Sequence, residues 1–238
     1  MILDYVALDL ETTGLNPKND RIIEIGMVKV NAGKVVDSYE TLIDPLVTYD
    51  DRIVEITGIT RDMVSGKPHI EDVISHIVDF IGDYPLLGHN VIFDYGFIKQ
   101  ACINNNITFE KEGVDTLKLA RVFLPDLPKK TLSSIIEYYG INDGTAHRAY
   151  YDALKASEVY LRFCEEFGDK MDEILLHPLV YKAKKQAMIT KRQNEYLKNL
   201  IKYHKIEDID VLSLDALTKS QASRLTDKIL STYGRINI

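Results

Sequence analysis

Leu3 to Leu10 (LDYVALDL) is apolar on both alternating faces except at Asp4 and Asp9. A strand with two apolar faces is buried from both sides, so it belongs in the middle of a sheet with a layer packed above and below it. Arg21 to Val30 (RIIEIGMVKV) and Lys34 to Ile43 read as two further strands. The Asn31-Ala32-Gly33 turn between them makes an antiparallel hairpin, which with the first strand gives a three-strand meander. Downstream the period changes. Ile70, Val73, Ile74, Ile77, Val78 and Ile81 follow the spacing of an amphipathic helix, and Pro85 to His89 is a short strand. Phe93 to Asn104, Thr116 to Phe123, Leu132 to Tyr139 and Ala149 to Phe167 read as helices, with Pro125 to Pro128 and Gly140 as stops. Strands first and helices later predict an α/β fold, a mixed sheet flanked by helices.

The chain has 238 residues, room for one large domain or one domain with a small appendage. With 45% hydrophobic and 27% charged residues it is neither collagen-like nor disordered. No apolar run approaches the roughly 20 residues of a membrane helix. Met1 to Leu10 carries Asp4 and Asp9 where a secretion signal has basic and then apolar residues, so a cytoplasmic protein without a membrane partner is expected. Cys102 and Cys164 lack the spacing of a metal or redox motif, which predicts two reduced thiols.

The net charge of -7 hides an asymmetry. Residues 1–168 hold 16 basic and 27 acidic side chains, whereas 169–238 hold 13 and 9. The division expected is a main domain over 1–168, a linker helix over 169–189 and a small helical appendage over 190–238. In the appendage, Thr190-Lys-Arg-Gln193 and Thr218-Lys-Ser-Gln221 both have the capping-box form. Each starts a stripe, Leu197, Leu200 and Ile201, then Leu225, Ile229 and Leu230, suited to two short helices packing on each other. The basic stretch from Lys182 to Lys205 fits a phosphate-tracking surface, a solvated helix face or the flank of a protein-docking face.

Asp9 and Glu11 are two apart on the first strand, so both carboxylates leave by the same face. Side-by-side acids repel each other, and a hard divalent cation relieves that repulsion by bridging them. The other possibility is that the strand stops at Leu8 and both acids are solvated. Thr12, Thr13 and Gly14 suit a turn whose backbone comes close to something. Asp152 has Ala156, Val159 and Phe163 at helical spacing beyond it, so this carboxylate shares an apolar stripe. It also suits a helix first turn, as does Asp94, because the helix dipole favours acids there. His147 is either functional or an ordinary helix-start histidine.

Asp9-Leu-Glu11-Thr-Thr-Gly14, then Asn90-Val-Ile-Phe93-Asp94-Tyr-Gly-Phe97, then His147-Arg-Ala149-Tyr-Tyr-Asp152-Ala153 resemble, in order, the three motifs of the DEDDh 3'-to-5' exonucleases. The resemblance covers residues 1 to about 167, with likeness to the proofreading exonucleases of bacterial replicative DNA polymerases. It implies a ribonuclease H-like fold and hydrolysis of the 3'-terminal phosphodiester, releasing nucleoside monophosphates. The implied cofactors are two divalent cations, Mg2+ or Mn2+. Asp9, Glu11, Asp94 and Asp152 would be their ligands, with Asp9 bridging, and His147 would be the general base. Thr12, Thr13, Gly14, Leu15, Asn90 and Phe93 would line the substrate, and His89 and Asn90 would orient the helix that carries Asp94. Phe97 is equally at home in the core. The implied partners are nucleic acid with a free 3' end, single-stranded or frayed DNA above all, and a polymerase or other replication or repair protein. An RNA or short-oligonucleotide exonuclease fits the same motifs. A noncatalytic binding protein would be expected to have lost one of the acids or the histidine.

Overall fold

The computed structural model describes residues 1–141, 148–171, 176–207, 209 and 211–236. They form two compact units, one of residues 1–45 and 49–183, the other of residues 46–48 and 184–238.

The first unit is built on the expected meander of β1 (Tyr5–Thr12), β2 (Ile22–Asn31) and β3 (Lys34–Leu42). Asn31 pairs with Lys34, so Ala32 and Gly33 alone make the turn, with φ of 48° and 74°. Two successive positive φ values give the turn whose twist matches that of a hairpin. Two short helices, α1 (Asp51–Thr57) and α2 (Arg61–Val64), and the amphipathic α3 (Ile70–Ile81) follow. Next come β4 (Leu86–Gly88), α4 (Ile92–Asn104), β5 (Glu112–Asp115), α5 (Thr116–Phe123), α6 (Leu132–Tyr139) and α7 (Ala149–Phe167). A last strand, β6 (His177–Pro178), completes a mixed sheet in the order β3-β2-β1-β4-β5-β6.

Both faces of β1 are buried, as its composition requires. Val6, Leu8 and Leu10 pack with Ile74 and Ile77 of α3 and Tyr95 and Ile98 of α4. Tyr5 and Ala7 join Ala153, Ala156, Tyr160 and Phe163 of α7 on the other side. Cys102 and Cys164 are free and buried, one in each of these clusters.

The linker helix expected over 169–189 is not what the described residues form. A single 3-10 turn spans Gly168–Lys170, His177 and Pro178 pair with β5, and residues 179–187 are irregular. Backbone pairing wins over helix propensity here. Leu179 donates its N–H to Lys111 O at 2.8 Å, and its side chain fills the space over Gly113.

In the second unit, α8 (Lys191–His204) and α9 (Lys219–Tyr233) each begin with a capping box, on Thr190/Gln193 and Thr218/Gln221. Such a cap contributes on the order of 1 kcal/mol. The two helices bury Leu197, Leu200, Ile201, Ala222 and Ile229 in a core of their own, with Leu214 and Leu217. No helix among the described residues is long and apolar enough to cross a membrane.

Candidate active site

β1 does not stop at Leu8. It runs through Thr12, paired to β2, so Asp9 and Glu11 project from a central strand on the face that Tyr5 and Ala7 share with α7. Asp9 stands opposite Gly26 of β2, and Glu11 opposite Glu24. The absence of a side chain at Gly26 decides what can lie over Asp9. A Cβ there would come within 2.1 Å of the Ala149 carbonyl carbon and the Tyr150 nitrogen, so the start of α7 rests directly on the Gly26 backbone. One turn later α7 delivers Asp152. Carboxylate oxygens of Asp9, Glu11 and Asp152 all lie within 4.8 Å of one another.

Asp94 comes from the opposite layer, in the first turn of α4, and is 3% exposed. Its Oδ1 accepts the Leu10 N–H at 3.0 Å. β4 ends at Gly88, so among the described residues β1 has no strand partner on that edge at this point, and the carboxylate takes its place. Val91, at the start of α4, is itself buried. Before it, Asn90 is exposed, has a φ of 72° and gives its N–H to Asp115 Oδ1 at 2.9 Å. His89 is held on both ring nitrogens, by Thr116 Oγ1 at 3.0 Å and Lys130 O at 2.8 Å. Burial lowers its pKa, and these two contacts fix its ring beside the chain that enters α4.

Four carboxylates brought together in this way perturb one another. Burial and then the Asp94, Asp152, Glu11 and Glu24 charges push Asp9 well above the usual carboxylate range. Burial, Asp152 and Glu24 push Glu11 up to about 8. Asp94 is raised by burial and by Glu11 and Asp115, against the lowering effect of its backbone hydrogen bonds. A cluster that resists ionising unless positive charge arrives, and that offers only hard oxygen donors, suits a hard divalent cation.

The residues expected to meet substrate behave differently from one another. Thr12 is buried and donates its hydroxyl to Gly14 O at 2.7 Å. Thr13 gives its N–H to Arg21 O at 2.8 Å and accepts the Arg21 N–H on Oγ1 at 2.9 Å, closing the loop after β1. Gly14 serves close approach, since a Cβ there would meet the Asp20 carboxylate at 2.6 Å. Leu15 is 84% exposed at this loop. Phe93 is half-buried against Phe97, with ring centroids 5.1 Å apart, and Phe97 itself is core. His147 lies outside the described residues.

One pairing has almost no signature in the sequence. Glu24, 2% exposed, binds the guanidinium of Arg148 and accepts the Ala149 N–H at 3.0 Å, tying the first residue of α7 to the sheet beside Glu11. Its only signal is an acid amid the apolar residues of RIIEIGMVKV.

Residues 6–160 match the family model described as Exonuclease, RNase_T. The DNA polymerase III PolC-type protein of Clostridium perfringens is 40% identical over 169 residues, which is 71% of this chain. The chain spans only 12% of the length of that relative. Among solved structures, Exonuclease X in complex with 5' overhanging duplex DNA is 29% identical with a TM-score of 0.56, covering 69% of this chain and 93% of that one. The E. coli ExoI-ssDNA complex, at 19% identity and a TM-score of 0.65 over 73% of this chain and 43% of its own, shares the fold. A model match over more than half of the chain, laid on four carboxylates gathered from β1, α4 and α7, places this chain in the RNase_T exonuclease family.

Proposed function

We propose that the chain is a metal-dependent 3'-to-5' exonuclease that releases nucleoside monophosphates from DNA. The observation that carries this reading is the meeting of Asp9, Glu11 and Asp152 within 4.8 Å, with Asp94 held on the Leu10 N–H behind them. Asp9, Glu11 and Asp152 are assigned to one divalent cation, and Asp9 and Asp94 to a second. When bound there, two such cations would supply charge neutralisation for a phosphodiester and for the leaving sugar oxygen. The protein fixes the acids before substrate arrives: β1 through its pairing to β2, and α7 through the Glu24 clamp. His147, just ahead of α7, is assigned as the general base that takes the proton of the attacking water. Leu15, exposed on the loop after β1, and Phe93 are suited to contact the terminal base, and the Thr13 hydroxyl proton is a donor on the same loop.

DNA as substrate, a replication or repair setting, a polymerase or other such protein as partner, and a cytoplasmic location are supported by the PolC-type relative, and DNA also by Exonuclease X, whose structure is of a complex with 5' overhanging duplex DNA. The test is digestion of matched end-labelled single-stranded DNA, mismatched-primer DNA and RNA with Mg2+ or Mn2+. Monophosphates released stepwise from the 3' end, fastest on single-stranded or mispaired DNA, are expected. Faster digestion of RNA would assign the chain to RNA processing.

A further inference from the structure

In the unit of residues 46–48 and 184–238, one face of α8 is left outside the core. Leu197, Leu200 and Ile201 point inward, while Tyr196, Asn199 and Tyr203 recur at the spacing of a single exposed helix face. Beyond α9, Gly234, at a φ of 88°, lets the chain turn back. His204 Nε2 donates to Gly234 O at 3.2 Å, and the His204 ring stacks on Tyr233 with centroids 5.6 Å apart. These contacts fasten the returning segment beside α8. The result is an open groove of about 660 Å3 lined by Tyr196, Asn199, Lys202, Tyr203, Arg235 and Ile236.

Its chemistry suits a polyanion that carries flat rings. Tyr196 and Tyr203 are exposed rings, and Lys202 and Arg235 make no ion pair among the described residues. α8 carries Lys191, Arg192, Lys198 and Lys202 against the single acid Glu195. Rings that offer a flat face beside uncompensated cations fit bases joined by phosphates, because stacking accepts any base and the cations follow the backbone. We propose that this groove is a second nucleic-acid site, in which Tyr196 and Tyr203 stack bases of a single strand while Lys202 and Arg235 pair with its phosphates. The choice of a nucleic acid over another polyanion rests on the exonuclease reading of the other unit.

Binding is measured on the full chain by fluorescence anisotropy of a labelled oligothymidylate, with chelator present so that nothing is cut. Two variants are compared with the unaltered protein: Tyr196→Ala with Tyr203→Ala, and Lys202→Gln with Arg235→Gln. The aromatic variant is expected to lose affinity at least about fivefold with its salt dependence unchanged. The charge variant is expected to lose affinity and to flatten the slope of log K against log salt by about 1.4, about 0.7 for each phosphate no longer paired with a cation. Both should keep the circular dichroism of the parent and its rate on a trinucleotide. Parental affinity and slope in both variants would overturn the proposal, and would leave the groove to a protein. If the unaltered chain cuts no substrate, the exonuclease reading fails while the binding comparison still decides this site.

Discussion

Arg148 brings Nε to within 2.7 Å and Nη2 to within 2.6 Å of the same oxygen of Glu24, and the other Glu24 oxygen takes the Ala149 N–H. Glu24 is buried and pairs in register with Glu11, so one carboxylate both holds the start of α7 and raises the proton affinity of its neighbour. Arg148→Ala leaves that carboxylate uncompensated. Because the arginine side chain is 43% exposed, the expected cost is about 2 kcal/mol, less than the 3 to 5 of a fully buried pair. Urea unfolding of the variant checks it, and a change below the error of the extrapolation would show that the clamp does not hold α7.

Gly26→Ala tests the seat of α7. Something must shift to admit a methyl 2.1 Å from the Ala149 and Tyr150 backbone, and moving α7 carries Asp152 away from Asp9. A displacement on the order of 1 Å can lower turnover about a hundredfold. The variant is expected to show that loss together with a lower Tm, and normal kinetics would show that α7 does not position the site.

How much of this was legible follows from what each level of structure depends on. Helices from Ile70 to Ile81, Thr116 to Phe123, Leu132 to Tyr139 and Ala149 to Phe167 stand where periodicity and stop residues put them, because their signals are local. β5 and β6 gave no such signal. Glu112 to Asp115 is a strand because β4 lies beside it, and His177 and Pro178 because β5 does. The acids of the site could be named from their motifs. Their convergence depends on the absent side chain of Gly26 and on the link from Glu24 to Arg148, partners 124 residues apart, which no window along the chain reveals.

Asp94→Asn separates charge from structure. The amide oxygen can still accept the Leu10 N–H, while a charge that crowds the site is removed. In chelator the variant should melt at or above the temperature of the parent, yet turn over at least about a hundredfold more slowly, the scale on which loss of one preorganised electrostatic group acts. Normal turnover would assign the ligands elsewhere.

Without metal, stability should fall as pH rises. The folded state binds the Glu11 proton more tightly than the unfolded chain, its pKa rising from 4.5 to about 8, and Asp9 and Asp94 shift in the same direction. This contribution is complete below the ordinary carboxylate value and is lost as pH climbs through about 8. Melting curves in chelator should decline across that window. Mg2+ or Mn2+ should restore the Tm at its alkaline end by favouring the ionised acids. A Tm that is flat or rises with pH in chelator would contradict the electrostatics of the cluster.

His147→Ala is expected to slow hydrolysis by about 10² to 10⁴-fold, the usual share of a general base, and to abolish the fall in rate that the parent shows as pH drops through the histidine titration. A pH–rate profile identical to that of the parent would move the base to another group.

Asp9, Glu11, Asp94 and Asp152 are proposed to work together as a metal-dependent site acting at a 3' end. The most direct measurement follows single-stranded DNA labelled at its 5' end, with Mn2+, with excess chelator, and with the Asp9→Asn, Glu11→Gln variant. A ladder shortening from the 3' end with metal alone, and intact strand in the other two, is the predicted result. Hydrolysis that persists in chelator or in the variant, or label released first from the 5' end, would contradict it.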